Sequence, residues 1–154
     1  MEIRKSPSWE DLCFKRAYEA ATRSNCSDNK VGVVLLDNTN RFIAHAGSGP
    51  EDGSCGSWCK SKKEMSLGCP SLHAEEKALI TVDSWNALEG YMYITAVPCT
   101  NCADMMITAK LTKVHFVSEW DEDYQAIAKY LSDNGITVYV RSRLTQKEIT
   151  TYYG

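Results

Sequence analysis

Apolar and polar positions along the chain fall into segments of two different periods. Over residues 9–24, Leu12, Tyr18 and the alanines at 17, 20 and 21 recur every three to four residues, which predicts a helix with Ser8 as its N-cap. Residues 30–37 and 41–46 are apolar and rich in β-branched side chains, and Asn38-Thr39-Asn40 joins them, so an antiparallel hairpin follows. Residues 47–70 lose that periodicity and hold five of the nine glycines, two of the four prolines and three cysteines, the composition of a long loop, ordered or tied by a metal. Helical spacing returns over 73–82, a buried strand over 91–97, a helix over 99–110 and a strand over 113–118. Asp121-Glu122-Asp123 open another helix where the dipole favours acids, and Asn134-Gly135 close it before a strand over 136–140. Residues 141–154 receive no assignment. Strands alternating with helices call for a largely parallel sheet with right-handed crossovers, helices on both faces and one antiparallel hairpin: an α/β fold with five strands. There is no internal repeat or low-complexity tract.

Composition narrows the class. With 154 residues, 44% hydrophobic and 24% charged, the chain is expected to fold as a single domain spanning residues 1–154. The longest apolar run inside a strand-like segment, residues 33–36, is far below the roughly 20 residues of a membrane-spanning helix. No apolar segment follows Arg4-Lys5, so no secretory signal is read and a cytoplasmic location is expected. Seventeen basic and twenty acidic residues give a net charge of −3, without the positive field that drives binding to a polyanion; no nucleic acid partner is expected. Seven cysteines, an odd number, point in a reducing compartment to metal binding or catalysis rather than to disulfides.

The chemistry concentrates in His73-Ala74-Glu75 and Pro98-Cys99-Thr100-Asn101-Cys102. One imidazole and two thiolates suit a tetrahedral zinc whose fourth position stays open, as in catalytic sites. Both motifs fall at predicted helix starts, which an α/β sheet gathers along one edge and where the helix dipole stabilises thiolates. Glu75, two residues past the histidine, is placed to shuttle a proton beside the metal. A packed core histidine with two incidental thiols would require the glutamate, the proline and the spacing to coincide. His45 and His115 lie in predicted strands without ligand partners and read as packed or surface residues, and Cys13 reads as a small core residue. Cys26, Cys55, Cys59 and Cys69 remain; four thiolates could form a closed structural zinc site, with free buried thiols as the alternative.

These motifs resemble the cytidine and deoxycytidylate deaminase family, whose signature is H-x-E with P-C-x-x-C. The likeness continues through C-S-D-N-K-V-G-V-V-L-L (26–36), G-P-E-D-G-S-C (49–55) and T-A-V-P-C-T-N-C-A (95–103), and covers about residues 10–140. It implies a three-layer α/β/α cytidine-deaminase-like fold with a five-stranded mixed sheet. It further implies zinc on His73, Cys99 and Cys102, zinc-bound hydroxide attacking C4 of a cytosine, and Glu75 as proton shuttle. On this likeness dCMP becomes dUMP, the precursor for thymidylate synthesis. Ala74 and Val97 become candidate base contacts. Lys77 stands where this branch often has asparagine, and Gly47-Ser48 where it often has asparagine-glycine; Lys77 or Lys30 would meet the phosphate, as a lysine point charge can. Relatives also suggest a second zinc near Cys26, Cys55, Cys59 and Cys69, a homo-oligomer, commonly a hexamer, and dCTP and dTTP as effectors. Other readings are a deaminase of dCTP, of free cytidine or deoxycytidine, or of a nucleic-acid base, and, from a different class, a non-catalytic zinc module, which would have no need of Glu75.

Overall fold

The computed structural model describes residues 8–24, 30–49, 73–82, 87–118 and 124–154. Ser8 opens α1 (Trp9–Thr22): its backbone is extended and its hydroxyl accepts the Asp11 N–H at 3.1 Å, satisfying one of the amides a helix start leaves without an internal partner. Then come β1 (Gly32–Leu36), β2 (Phe42–Gly47), α2 (Ala74–Ile80) and β3 (Tyr91–Ile94). α3 (Thr100–Thr108), β4 (Lys113–Ser118), α4 (Tyr124–Asp133), β5 (Thr137–Ser142) and β6 (Glu148–Tyr152) complete the order.

Among the described residues the sheet runs β2-β1-β3-β4-β5-β6. β3, β4 and β5 are parallel, β1 is antiparallel to both of its neighbours, and β6 is antiparallel to β5. The mixed sheet is thus as expected, with six strands rather than five. β6 escapes the sequence pattern because its residues are half-exposed or exposed and show no apolar alternation, while the mostly polar residues 143–147 separate it from β5. It pairs Val138 with Tyr152 and Val140 with Thr150, so β5 is not an open edge.

The hairpin turn is organised by Asp37. Its carboxylate accepts from Thr39 N–H at 2.9 Å, Thr39 Oγ1 at 2.6 Å, and Arg41 N–H and Nε, each at 3.0 Å. The Thr39 hydroxyl above all holds that carboxyl well below the usual range, and Asn40 takes the left-handed conformation such a turn requires, with φ of 66°.

Side chains alternate across β1, and each set has its own helical cover. Val34 and Leu36 pack with Tyr93, Val117 and the α1 residues Cys13, Phe14 and Ala17. Val33 and Leu35 join Met92, Ile94, Val114, Phe116, Val138 and Val140 on the other face, beneath Ala74 and Ala78 of α2, Ala103 and Met106 of α3, and Ala128 and Leu131 of α4. Among the described residues helices therefore cover both faces, one against three. α1 lies so close to β1 that a Cβ on Gly32 would stand 1.9 Å from the Ala17 carbonyl oxygen. The same helix is tied to β5 by Arg141, whose guanidinium donates to Asp11 at 2.7 Å and sits 4.3 Å above the Phe14 ring.

Candidate active site

His73 and Cys99 occupy equivalent places, each the extended residue that caps a helix: α2 for His73 and α3 for Cys99. Their proximity does not come from two helices following parallel strands, since β2, which precedes α2, is antiparallel to β1. It comes from α2 and α3 packing side by side on one sheet face, with Ala74, Ala78, Ala103 and Met106 in a single core cluster. The strand before α3 ends at Ile94, earlier than expected, and residues 95–99 turn the chain into the helix.

The His73 Nδ1 lies 3.3 Å from Cys102 Sγ and 3.5 Å from Cys99 Sγ. The three donor atoms fall within 4.8 Å of one another and form the candidate metal group among the described residues. Zinc bonded at about 2.3 Å to sulfur and about 2.0–2.1 Å to nitrogen in a tetrahedron separates N from S by roughly 3.5 Å. Both measured N–S separations agree with that edge. Neither Glu75 nor Glu76 belongs to the group, although Glu76 Oε1 comes within 3.7 Å of His73 Nδ1. An imidazole and two thiols, one donor short of a tetrahedron, thus fit a zinc ion in the number, type and spacing of ligands.

The electrostatics are those of a dry site at two helix starts. Cys99 Sγ accepts the Cys102 N–H at 3.4 Å, and the Cys102 thiol beside it lowers the Cys99 thiol to about 3, assisted by His73. Cys102, fully buried, is pushed up in turn, first by Cys99 and then by its burial. Glu75 is 4% exposed; burial raises its carboxyl, with contacts to Cys102 and His73 opposing the rise.

A cavity of about 70 Å³ adjoins the group, lined by Val31, Ser48, Ala74, Glu75, Ala96, Val97, His73 and Cys99. Ala74 and Val97 are among the residues that line it. Val31 and Ser48 are additions that no local pattern marks, because they arrive from the start of β1 and the end of β2. Lys77 is buried, with Nζ donating to the Gly47 carbonyl at 3.0 Å, and it faces a separate cleft with Arg23, His45 and Thr81 rather than this cavity. Lys30 is exposed, next to Val31. Cys26, Cys55, Cys59 and Cys69 lie outside the described residues. His115 is buried and stacked between Tyr93 and Tyr139, and Cys13 is buried under α1, so neither joins the site.

Comparison with known proteins follows the same residues. The family model for the cytidine and deoxycytidylate deaminase zinc-binding region matches residues 7–118. The deoxycytidylate deaminase of Mycobacterium phage D29 is 28% identical over 125 residues, covering 73% of this chain and 97% of the phage protein. That of Saccharomyces cerevisiae is 30% identical over 141 residues, covering 86% of this chain and 44% of its own, so the chain spans less than half of the yeast enzyme. The crystal structure of dCMP deaminase from the cyanophage S-TIM5 in complex with dCMP and dUMP shares 26% identity and a TM-score of 0.69, over 89% of this chain and 99% of that one. The matched region contains His73, Glu75, Cys99 and Cys102 together, and on that ground the chain belongs to the cytidine and deoxycytidylate deaminases.

Proposed function

We propose that the chain is a zinc-dependent deaminase that hydrolyses dCMP to dUMP, the step that feeds thymidylate synthesis. One observation carries the reading: a buried carboxylate, Glu75, lies against a ligand of a three-donor metal group at the edge of a small cavity. The phage enzyme bound to dCMP and dUMP supports the choice of nucleotide. In this reading His73, Cys99 and Cys102 hold the metal and Glu75 moves the proton. Zinc held there supplies Lewis-acid chemistry that makes water nucleophilic near neutral pH.

Hydrolytic deamination replaces the C4 amino group by an oxygen from water and releases ammonia, so a proton must travel from the water to the departing nitrogen. Glu75 can take and return it, because desolvation keeps its carboxyl more basic than in water. Ala74, Ala96 and Val97 supply apolar wall against which the base would pack. Lys77 or Lys30 is the proposed phosphate contact, and an unchanged Michaelis constant for dCMP in both Lys77→Ala and Lys30→Ala would remove it. The reading also includes a second, structural zinc on Cys26, Cys55, Cys59 and Cys69, control by dCTP and dTTP, a homo-oligomer and a cytoplasmic site of action. No helix among the described residues is long and apolar enough to cross a membrane.

The decisive experiment incubates zinc-loaded protein with dCMP, dCTP, cytidine, deoxycytidine and single-stranded DNA and follows ammonia. Fastest release from dCMP is expected. Glu75→Gln should retain zinc while losing about 10²–10⁴-fold in turnover. Preferred release from another member of the panel would replace dCMP as substrate, and full activity in Glu75→Gln would end the proton-shuttle role.

A further inference from the structure

The end of α1 reaches the wall of the cavity beside Glu75 through two buried serines. Ser24 and Ser48 are 9% and 6% exposed. Ser24 Oγ donates to the Ser48 carbonyl at 2.7 Å, and the two hydroxyl oxygens are 2.8 Å apart. Either hydroxyl can donate the bond between the two oxygens. Ser48 Oγ in turn accepts the Val31 N–H at 3.0 Å, and the Ser48 N–H donates to the Val31 carbonyl at 2.9 Å. The backbone and side chain of Ser48 are thereby fixed from both α1 and the start of β1.

Val31 and Ser48 line the cavity with His73, Glu75 and Cys99, whereas Ser24 does not. The close approach has a backbone cause as well: a Cβ on Gly47 would lie 2.7 Å from the Ala20 carbonyl oxygen and 3.1 Å from Ser24 N, so β2 ends in direct contact with the last turn of α1. We propose that Ser24 is a positioning residue of the substrate cavity: acting through Ser48, it holds the Val31-Ser48 wall in place. This rests on the deaminase reading and deepens it, since the ligand that this wall meets is the nucleotide of that reaction.

Ser24→Ala removes the donor to the Ser48 carbonyl and the bond between the two hydroxyls at once, without touching the metal group. The expected result is a rise of about tenfold in KM for dCMP with kcat within about twofold and zinc content unchanged, a tenfold step being about 1.4 kcal/mol. Ser24→Thr, which keeps the hydroxyl, should restore KM. Ser48→Ala, measured in parallel, should raise KM as well, and the double variant should fall short of the product of the two single effects, as for residues acting through one contact. Calorimetric titration of dCMP into Glu75→Gln, with and without Ser24→Ala, should show the same tenfold loss of affinity independently of turnover. A lower melting temperature with KM unchanged in Ser24→Ala, failure of threonine to restore KM, or unchanged KM in Ser48→Ala would each overturn the proposal. Wild-type protein that turns over and binds dCMP while Ser24→Ala does so equally well would sink the Ser24 assignment alone; wild-type protein that neither binds nor deaminates dCMP would sink both readings.

Discussion

His115 shows how far a residue's setting can depart from its type. It lies in register with Tyr93 and Tyr139 on the parallel strands β3, β4 and β5, its ring 4.2 Å from one tyrosine and 4.4 Å from the other, both stacked nearly parallel to it. Burial first, then the positive charges of Arg141 and Lys113, lower the imidazole to about 3. In the unfolded chain it takes up a proton near 6.5, so between these values the unfolded state binds more protons than the folded one. Its contribution to stability is therefore fully present above about pH 6.5 and is lost as the pH falls towards 3. Between pH 7 and pH 5 this amounts to about 2 kcal/mol. His115→Phe keeps the stack and removes the titration, so the fall in unfolding free energy over that interval, measured by urea denaturation, should be smaller by about that amount. An equal fall in both proteins would show that His115 is not buried as a neutral ring.

At the scale of elements, helix ends are where local chemistry and tertiary position meet. α4 ends with Gly135 in the left-handed region at φ of 91°, while Ile136 N–H bonds the Leu131 carbonyl and Gly135 N–H that of Ser132, each at 3.1 Å. Asn134-Gly135 announces this ending in the sequence. α3 ends in the same way, with Leu111 N–H on the Met106 carbonyl at 3.3 Å and Lys110 N–H on that of Ile107 at 3.0 Å, but a lysine occupies the left-handed position at φ of 60°. A side chain there costs about 1–2 kcal/mol, of which glycine gives back part in unfolded-state entropy. Lys110→Gly should therefore stabilise the protein by about 0.5–1 kcal/mol, read as a higher urea midpoint with unchanged slope. A lower midpoint would show that the Lys110 side chain contributes more than its backbone costs.

For the whole molecule the proposed metal content is two zinc ions per chain. Elemental analysis should find two in the wild type and one in Cys99→Ser; one in the wild type would remove the Cys26, Cys55, Cys59 and Cys69 site, and two in Cys99→Ser would remove the His73, Cys99 and Cys102 site. The sequence alone was enough for the α/β class, the antiparallel hairpin and the ending of α4, because period, turn residues and capping are properties of neighbours along the chain. It also carried the donor set and its carboxylate, since a zinc ligand group is restricted to few residue types and here falls in two short motifs. Other features were decided only by folding. β6 has no apolar alternation of its own and forms because β5 offers an edge. His115 becomes neutral through what packs on it from two other strands. Ser48 and Val31 come to the cavity, with Ser24 behind Ser48, from separate parts of the chain, brought there by the backbone contact that Gly32 and Gly47 permit. Contacts of this kind join residues far apart in the chain, so no local pattern records them; they exist once the sheet and helices have packed.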